Sequence, residues 1–150
     1  MNTTPFAVGE KVVYPNHGVG VIEQISSRTI GDSVERCYLL CIRSSNLKVT
    51  IPFQNVVSVG LRRIAKNAEA QKIFEFLSNG ECENNSDWKN RFRENSDRMR
   101  TGSLLELAIV LKGLLILAAQ KPLRDREKKM LETARFLIIT EMAIARDGEE

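Results

Sequence analysis

The sequence predicts an α+β protein, with a small SH3/Tudor-like β-barrel at the N-terminus followed by an all-helical C-terminal domain. Up to about residue 60, short β-branched and apolar runs alternate with Gly, Pro, Asn and Ser, which is typical of strands joined by tight turns. Beyond that point, apolar residues recur at three- and four-residue spacing, which is typical of amphipathic helices. This change near Gly60 indicates two domains, residues 1–62 and 63–150.

The N-terminal domain is expected to contain five short strands. Gly20 is a candidate β-bulge inside the second strand, and Gly31-Asp32-Ser33 is a hairpin turn. The continuous apolar run Cys37–Ile42 predicts a central strand. Leu47–Ile51 alternates apolar and polar residues, so one face is buried and one is wet, and it is our candidate for an edge strand. The predicted strands are 12–14, 19–25, 28–30, 37–42 and 47–51.

The C-terminal domain is expected to contain four helices. Ser86 or Asp87 is placed to cap the second of them. Ser103 and Glu106 have the spacing of a capping box at the start of the third. The predicted helices are 64–77, 88–99, 104–120 and 125–145, followed by a frayed tail at 147–150.

The composition describes a cytoplasmic globular protein. Hydrophobic residues make up 43% and charged residues 27% of the 150, which excludes a disordered chain. The net charge of +3 is compatible with a nucleic-acid partner. Residues 1–5 lack the features of a signal peptide, and the apolar stretch 104–119 is too short to span a bilayer.

The sequence lacks the residue patterns of common catalytic, nucleotide and metal sites. We therefore expect a binding protein without catalytic residues, cofactor or metal. The sequence contains no phosphate-binding loop, dinucleotide fingerprint or nucleophile elbow. His17 is the single histidine and lies in a Pro/Gly turn, where we expect local bonding. The three cysteines have no metal-binding spacing. Cys37 and Cys41 are expected to be reduced core thiols, and Cys82 stands alone.

The segment around Trp88, the single tryptophan, is the strongest candidate for a functional site. On a helix, Trp88 and Phe92 share one face, and Lys89 and Arg93 share a neighbouring face. An aromatic ring surrounded by cations suits a contact with a DNA fork or minor groove. From these residues alone, burial of the ring in the core is the stronger alternative, since tryptophans are commonly buried.

Seven segments, in order, resemble the CarD/CdnL family of bacterial transcription regulators, whose N-terminal module also occurs in transcription-repair coupling factors. The opening block, with Tyr14-Pro15-Asn16-His17-Gly18, and the tryptophan block are the most specific of these matches. Because helices follow the barrel, the chain resembles the stand-alone regulators. The matching segments are 8–20, 28–30, 49–52, 88–93, 101–103, 127–131 and 134–135.

The resemblance implies that the barrel docks on the β subunit of RNA polymerase, and that the helical domain meets promoter DNA at the upstream edge of the transcription bubble. There the tryptophan matching Trp88 would wedge into the minor groove and stabilise the open complex. The implied polymerase contacts are Arg28, Ile30, Lys48, Val49 and Thr50. The implied DNA contacts are Trp88, Lys89, Arg91, Arg93, Lys128 and Lys129, of which the cations meet phosphates with little sequence preference.

Two positions depart from the family pattern. Thr50 stands where the family often has Arg, which puts one charged polymerase contact in doubt or moves it onto Lys48. Arg124 stands where the family often has a Ser that caps the last helix, a role that Asp125 is then expected to take. No feature calls for a dimer, so we expect a monomer. The alternative function is a polymerase-bound adaptor whose helices bind protein in place of DNA; an enzyme has little support.

Overall fold

The computed structural model describes residues 6–42, 44–80 and 87–147. The chain divides into two compact units, Met1–Ile64 and Ala65–Glu150, and this division lies two residues beyond the boundary drawn from composition. The predictions made for Cys82, Ser86 and the end of the tail (148–150) fall outside the described residues.

Among the described residues of the first unit, five strands form an antiparallel sheet in the order β4-β3-β2-β1-β5. Helices follow this sheet in the chain, so the predicted fold class is confirmed. The order also confirms that the strand containing Leu47–Ile51 lies at an edge of the sheet. The strands are β1 Lys11–Tyr14, β2 Gly18–Ile30, β3 Ser33–Ile42, β4 Leu47–Pro52 and β5 Arg62–Arg63.

Three strand predictions need correction. The runs 19–25 and 28–30 are one strand, because Ser26 and Ser27 continue the pairing with β3 and do not turn the chain. The two-residue strand β5 was missed because it is too short to show alternation. The irregularity in β2 falls between Ile22 and Gln24 and not at Gly20.

Gly20 is required by a close approach between neighbouring strands. A Cβ atom at this position would lie 2.9 Å from the carbonyl oxygen of Cys41 and from the Cδ1 atoms of Leu40 and Ile42. Contacts that short do not occur for a real Cβ atom, so a side chain here would force β2 and β3 apart.

The core of the first unit lies on the face of the sheet that carries Tyr38, Leu40 and Ile42, all of which are fully buried. The hydroxyl of Tyr38 accepts a hydrogen bond from the backbone N–H of Phe6 at 3.2 Å. Burial of this ring raises the pKa of Tyr38 above its ordinary value. After β4, a 3₁₀ turn (Phe53–Asn55) and a short helix α1 (Val56–Val59) lead the chain to β5.

The described part of the second unit contains four long helices, as predicted. The first of them begins at Asn67 and not at Ile64, because the chain is still extended up to Lys66. In this extended segment the backbone N–H of Ala65 donates to the buried carboxylate of Glu141 at 2.8 Å. The helices are α2 Asn67–Asn79, α3 Trp88–Thr101, α4 Leu104–Gln120 and α5 Asp125–Asp147.

Helix α4 supplies the centre of the second core. Leu104, Leu107, Val110 and Leu114 are each at most 2% exposed, and they pack in one cluster with residues of α5 such as Ile138. Neither Trp88 nor Phe92 belongs to this cluster. None of the described helices is both long and apolar enough to cross a membrane.

Candidate functional site

A buried ion pair joins the beginnings of α3 and α5. Nε of Arg91 lies 2.6 Å from Oε2 of Glu127, and Nη2 lies 3.0 Å from Oε1. The two residues are 3% and 1% exposed. The hydrogen bond to Glu127 raises the pKa of Arg91, so the guanidinium stays charged inside the unit.

This burial contradicts the prediction that Arg91 contacts phosphate. A guanidinium whose fork is already engaged by a buried carboxylate has no surface to offer to DNA. The sequence did not show which face of α3 meets α5. Arg91 lies on that face.

Trp88 is the first residue of α3 and is half-buried. Its ring lies under the guanidinium of Arg124, whose Cζ atom is 4.2 Å from the ring centroid. One turn later, Cζ of Arg126 lies 5.6 Å from the centroid of the Phe92 ring. Both distances are within the range of a cation–π contact, so Arg124 and Arg126 each cover an aromatic ring of α3.

The backbone under Trp88 is held by a helix cap. The carboxylate of Asp87 accepts from the backbone N–H of Lys89 at 3.3 Å and from the side-chain amide of Asn90 at 3.0 Å. This confirms Asp87 as the cap of α3. Trp88 therefore projects from a helix start whose conformation is set before any partner binds.

At the start of α5, the cap position belongs to Arg124 and not to Asp125. The carbonyl of Arg124 accepts the backbone N–H of Lys128 at 2.9 Å, which is the first hydrogen bond of the helix. Asp125 is the first helical residue. Its carboxylate interacts favourably with the positive end of the helix dipole. Asp125 does not, however, occupy the cap position that we expected it to take.

The exposed cations divide between the two sides of this site. Lys89 and Arg93 lie on the solvent face of α3, and Arg93 donates to the side-chain oxygen of Asn90 at 3.1 Å.

Lys128 is exposed and one turn beyond Arg124, so it shares that residue's face. Lys129 is exposed and lies one turn beyond Arg126, so it shares that residue's face and is about 140° around α5 from Arg124. The fold thus groups Lys128 with Trp88 and does not group Lys129 with it.

We call the residues that come together here the tryptophan patch: Trp88, Phe92, Arg124, Arg126 and Lys128. Two helix N-termini lie at this patch, and the carboxylates of Asp87 and Asp125 offset part of their positive charge. The arrangement can bind an anionic backbone while an aromatic edge stays accessible to a base. Arg126 was not singled out from the sequence, and Arg124 was noted only as a departure from the family pattern. The aromatic rings they cover lie more than thirty positions away in the chain.

The predicted polymerase contacts fall into two groups on the sheet. Arg28 and Ile30 lie at the β2–β3 hairpin, where Nε of Arg28 pairs with Oε1 of Glu35 at 2.8 Å. This hydrogen bond raises the pKa of Arg28. Ile30 is 54% exposed, although it is a large apolar residue. An uncovered isoleucine beside an arginine gives this end of the sheet apolar surface next to a charged group, as protein interfaces have.

Lys48, Val49 and Thr50 form the second group, on the edge strand β4. Lys48 and Thr50 are exposed, whereas Val49 packs partly against the core. The Val49 side chain therefore offers less surface to a partner than those of Lys48 and Thr50. Arg28 pairs with position 35 of β3 and Lys48 with position 41, so the two groups lie about 20 Å apart along the strand.

His17 makes only local contacts among the described residues. Its backbone N–H donates to the carbonyl of Tyr14 at 2.9 Å, and its ring stacks on the Tyr14 ring at 4.8 Å. Within the described ranges, no three His, Cys, Asp or Glu side chains group as metal ligands would.

Comparison with known proteins finds similarity along nearly the whole chain. Residues 6–65 match the family model described as the CarD-like/TRCF RID domain. Residues 72–150 match the model described as the CarD C-terminal domain. The chain is also 31% identical over 139 residues to the "Putative transcription factor YdeB" of Bacillus subtilis (strain 168), which covers 93% of this chain and 91% of the relative.

Proposed function

Because the chain belongs to the CarD family of transcription factors, we propose that it binds the β subunit of RNA polymerase and stabilises the open promoter complex. In this proposal Trp88 enters the minor groove at the upstream fork and hinders collapse of the bubble. The protein acts as a cytoplasmic monomer, without a cofactor and without a chemical step.

The observation that carries the proposal is the position of Trp88. The ring is half-buried at a helix start and lies outside the core cluster of its unit. It lies under the exposed guanidinium of Arg124, and the exposed Arg126 and Lys128 follow on α5. This indole lies outside the core and next to cations that attract phosphate. It is therefore suited to insert between base pairs. The exposed Lys89 and Arg93 extend the cationic surface along α3.

Docking to polymerase is supported by the edge strand β4. A strand at the edge of a sheet has unpaired backbone groups that can pair with a strand of another protein. Lys48 and Thr50 flank this edge, and Lys48 lies 3.6 Å from Glu23, an exposed pair that contributes little to stability. Lys48 is therefore available for a new partner at small cost.

The energetics suit a protein that assists polymerase and does not read sequence. Unstacking a base step costs a few kcal/mol, which an inserted apolar side chain can offset. A stabilisation of about 1.4 kcal/mol shifts the opening equilibrium tenfold. The patch reaches few phosphates, so affinity for DNA alone should be weak, and polymerase supplies the effective concentration.

The adaptor alternative is supported by a different surface. Phe136 and Ile139 of α5 are 47% and 60% exposed, and their three-residue spacing places them on one face of the helix. An apolar face of this kind could bind another protein. It does not include the tryptophan patch, so the two functions use separable residues.

The test is the lifetime of the open complex formed by a bacterial holoenzyme on a promoter, with and without this protein. Wild type should lengthen the lifetime, and Trp88→Ala should lose that effect while still binding polymerase. Phe136→Ala is the matched control, because it removes an aromatic ring from another face of the same unit. We expect Phe136→Ala to behave as wild type.

A Trp88→Ala variant that still lengthens the lifetime would overturn the wedge. If wild type binds polymerase but leaves the lifetime unchanged, and Lys89 and Arg93 give no crosslinks to promoter DNA at any salt concentration, the adaptor function is favoured.

A further inference from the structure

Arg124 and Trp88 both project from backbone that is already anchored. The carbonyl of Arg124 accepts the first hydrogen bond of α5, and Trp88 follows the capping carboxylate of Asp87. The two side chains meet at 4.2 Å between Cζ and the ring centroid. The backbone at Trp88 and at Arg124 is therefore ordered before DNA or polymerase binds, and the contact between the two side chains is present in the free protein.

The buried ion pair fixes the register of this contact. Arg91 lies three residues after Trp88, and Glu127 lies three residues after Arg124. The 2.6 Å bond between Arg91 and Glu127 therefore holds the preceding turns of α3 and α5 opposite each other. Arg126 repeats the arrangement on Phe92 at the longer distance of 5.6 Å.

We propose that Arg124 is the positioning residue for Trp88. Its guanidinium covers one face of the indole and holds the ring in one orientation before DNA arrives. The same guanidinium remains exposed and brings a cation to the phosphate next to the wedged step. This inference rests on the proposed function of Trp88, and it assigns to Arg124 a role different from that of a capping serine.

The size of the effect follows from the exposure of the contact. A cation–π contact at an exposed site shifts an equilibrium about two- to fivefold. Loss of the contact should therefore shorten the stimulated lifetime by about that factor. It should not abolish stimulation, because the indole itself remains.

The variants are Arg124→Ala, Arg124→Lys and, as the matched control, Arg126→Ala. Arg124→Ala removes the stack and the charge. Arg124→Lys keeps the charge but replaces the planar guanidinium with an ammonium group, and the ammonium stacks less well on an aromatic ring. Arg126→Ala removes the same charge from the same turn of α5 and leaves the Trp88 contact in place.

The first readout is made on the free protein and does not depend on polymerase or DNA. Trp88 is the single tryptophan of the chain, so quenching of tryptophan emission by acrylamide reports this ring alone. Acrylamide is neutral, so the lost charge does not bias its approach. We expect more efficient quenching in Arg124→Ala, an intermediate value in Arg124→Lys, and the wild-type value in Arg126→Ala.

The second readout is the open-complex lifetime at a protein concentration that saturates polymerase. Arg124→Ala should shorten the stimulated lifetime about two- to fivefold, more than Arg126→Ala does, and Arg124→Lys should recover part of it. The concentration giving half the effect should change little, because it is set by docking of the first unit.

The proposal is overturned if Arg124→Ala and Arg126→Ala give the same quenching, since Arg124 would then not cover the ring. It is also overturned if quenching rises while the lifetime stays at the wild-type value, since the contact would then not serve the wedge. If the proposed function itself fails, Trp88→Ala will also give the wild-type lifetime. That result distinguishes failure of the function from failure of the role proposed for Arg124.

Discussion

Arg91 and Glu127 form a two-point ion pair inside the helical unit, with N–O distances of 2.6 and 3.0 Å. Both side chains are almost completely buried, so neither charge has access to bulk water. The pair joins the first turns of α3 and α5 and thereby places Trp88 beside Arg124. Arg91, which was predicted to contact DNA, thus holds the two helix starts together from the interior of the unit.

Removal of one partner of this pair should strongly destabilise the helical unit. Arg91→Ala or Glu127→Ala leaves an uncompensated buried charge, at a cost of about 3–5 kcal/mol in the free energy of unfolding. The double substitution Arg91→Met with Glu127→Leu should cost less than either. Urea unfolding followed by circular dichroism measures all three.

The matched control is the partly exposed pair Arg98–Glu106, which has an N–O distance of 3.2 Å. Arg98→Ala should cost less than about 1 kcal/mol, because both groups keep contact with water. Equal losses for Arg91→Ala and Arg98→Ala would show that burial does not govern the cost.

Arg124→Ser should stabilise the fold while loosening Trp88. The substitution places a hydroxyl at the cap position of α5, where serine is favoured over non-capping residues by about 1 kcal/mol. The midpoint temperature of unfolding should therefore rise by a few degrees. Arg126→Ser is the control, since it lies inside the helix and should give no such gain. A lower midpoint for Arg124→Ser would mean that the stack on Trp88 contributes more than a cap.

Gly20→Ala should destabilise the first unit by about 1–3 kcal/mol, because its Cβ atom would overlap neighbouring atoms of β3. Gly31→Asn is the control. Gly31 has a positive φ of 60° and open space around a Cβ atom, and asparagine tolerates that conformation. Thermal unfolding of the two variants should differ clearly; similar stabilities would contradict the close approach of β2 and β3.

The response to salt should separate the cations of the second unit. Each phosphate contact contributes a slope of about 0.9 to the dependence of log affinity on log salt concentration. Lys89→Gln and Lys128→Gln should each reduce the slope by about that amount. Lys129→Gln should reduce it less, since Lys129 lies about 140° around α5 from Arg124, the residue stacked on Trp88. The measurement is binding to a preformed polymerase–promoter complex across a range of KCl concentrations, and equal slopes for all three variants would contradict the grouping.

Local residue patterns predicted much of the fold. Alternation in Leu47–Ile51 indicated a strand with one wet face, Gly31-Asp32 indicated the hairpin turn, and Ser103 with Glu106 indicated a helix start. Each pattern acts over a few residues, because turns, caps and amphipathic faces depend on neighbours in the chain. The strand β5 escaped prediction because two residues carry no periodicity.

Residue patterns in the sequence were enough to place most strands and helices in order and to put Trp88 at the beginning of a helix. What the charged residues around Trp88 do depends on tertiary packing. Arg91 and Glu127 are 36 positions apart, and the same helical spacing fits an exposed arginine as well as a buried one. Whether an arginine meets solvent, a carboxylate or an aromatic ring depends on which helix packs against it, and that packing is set by the whole core.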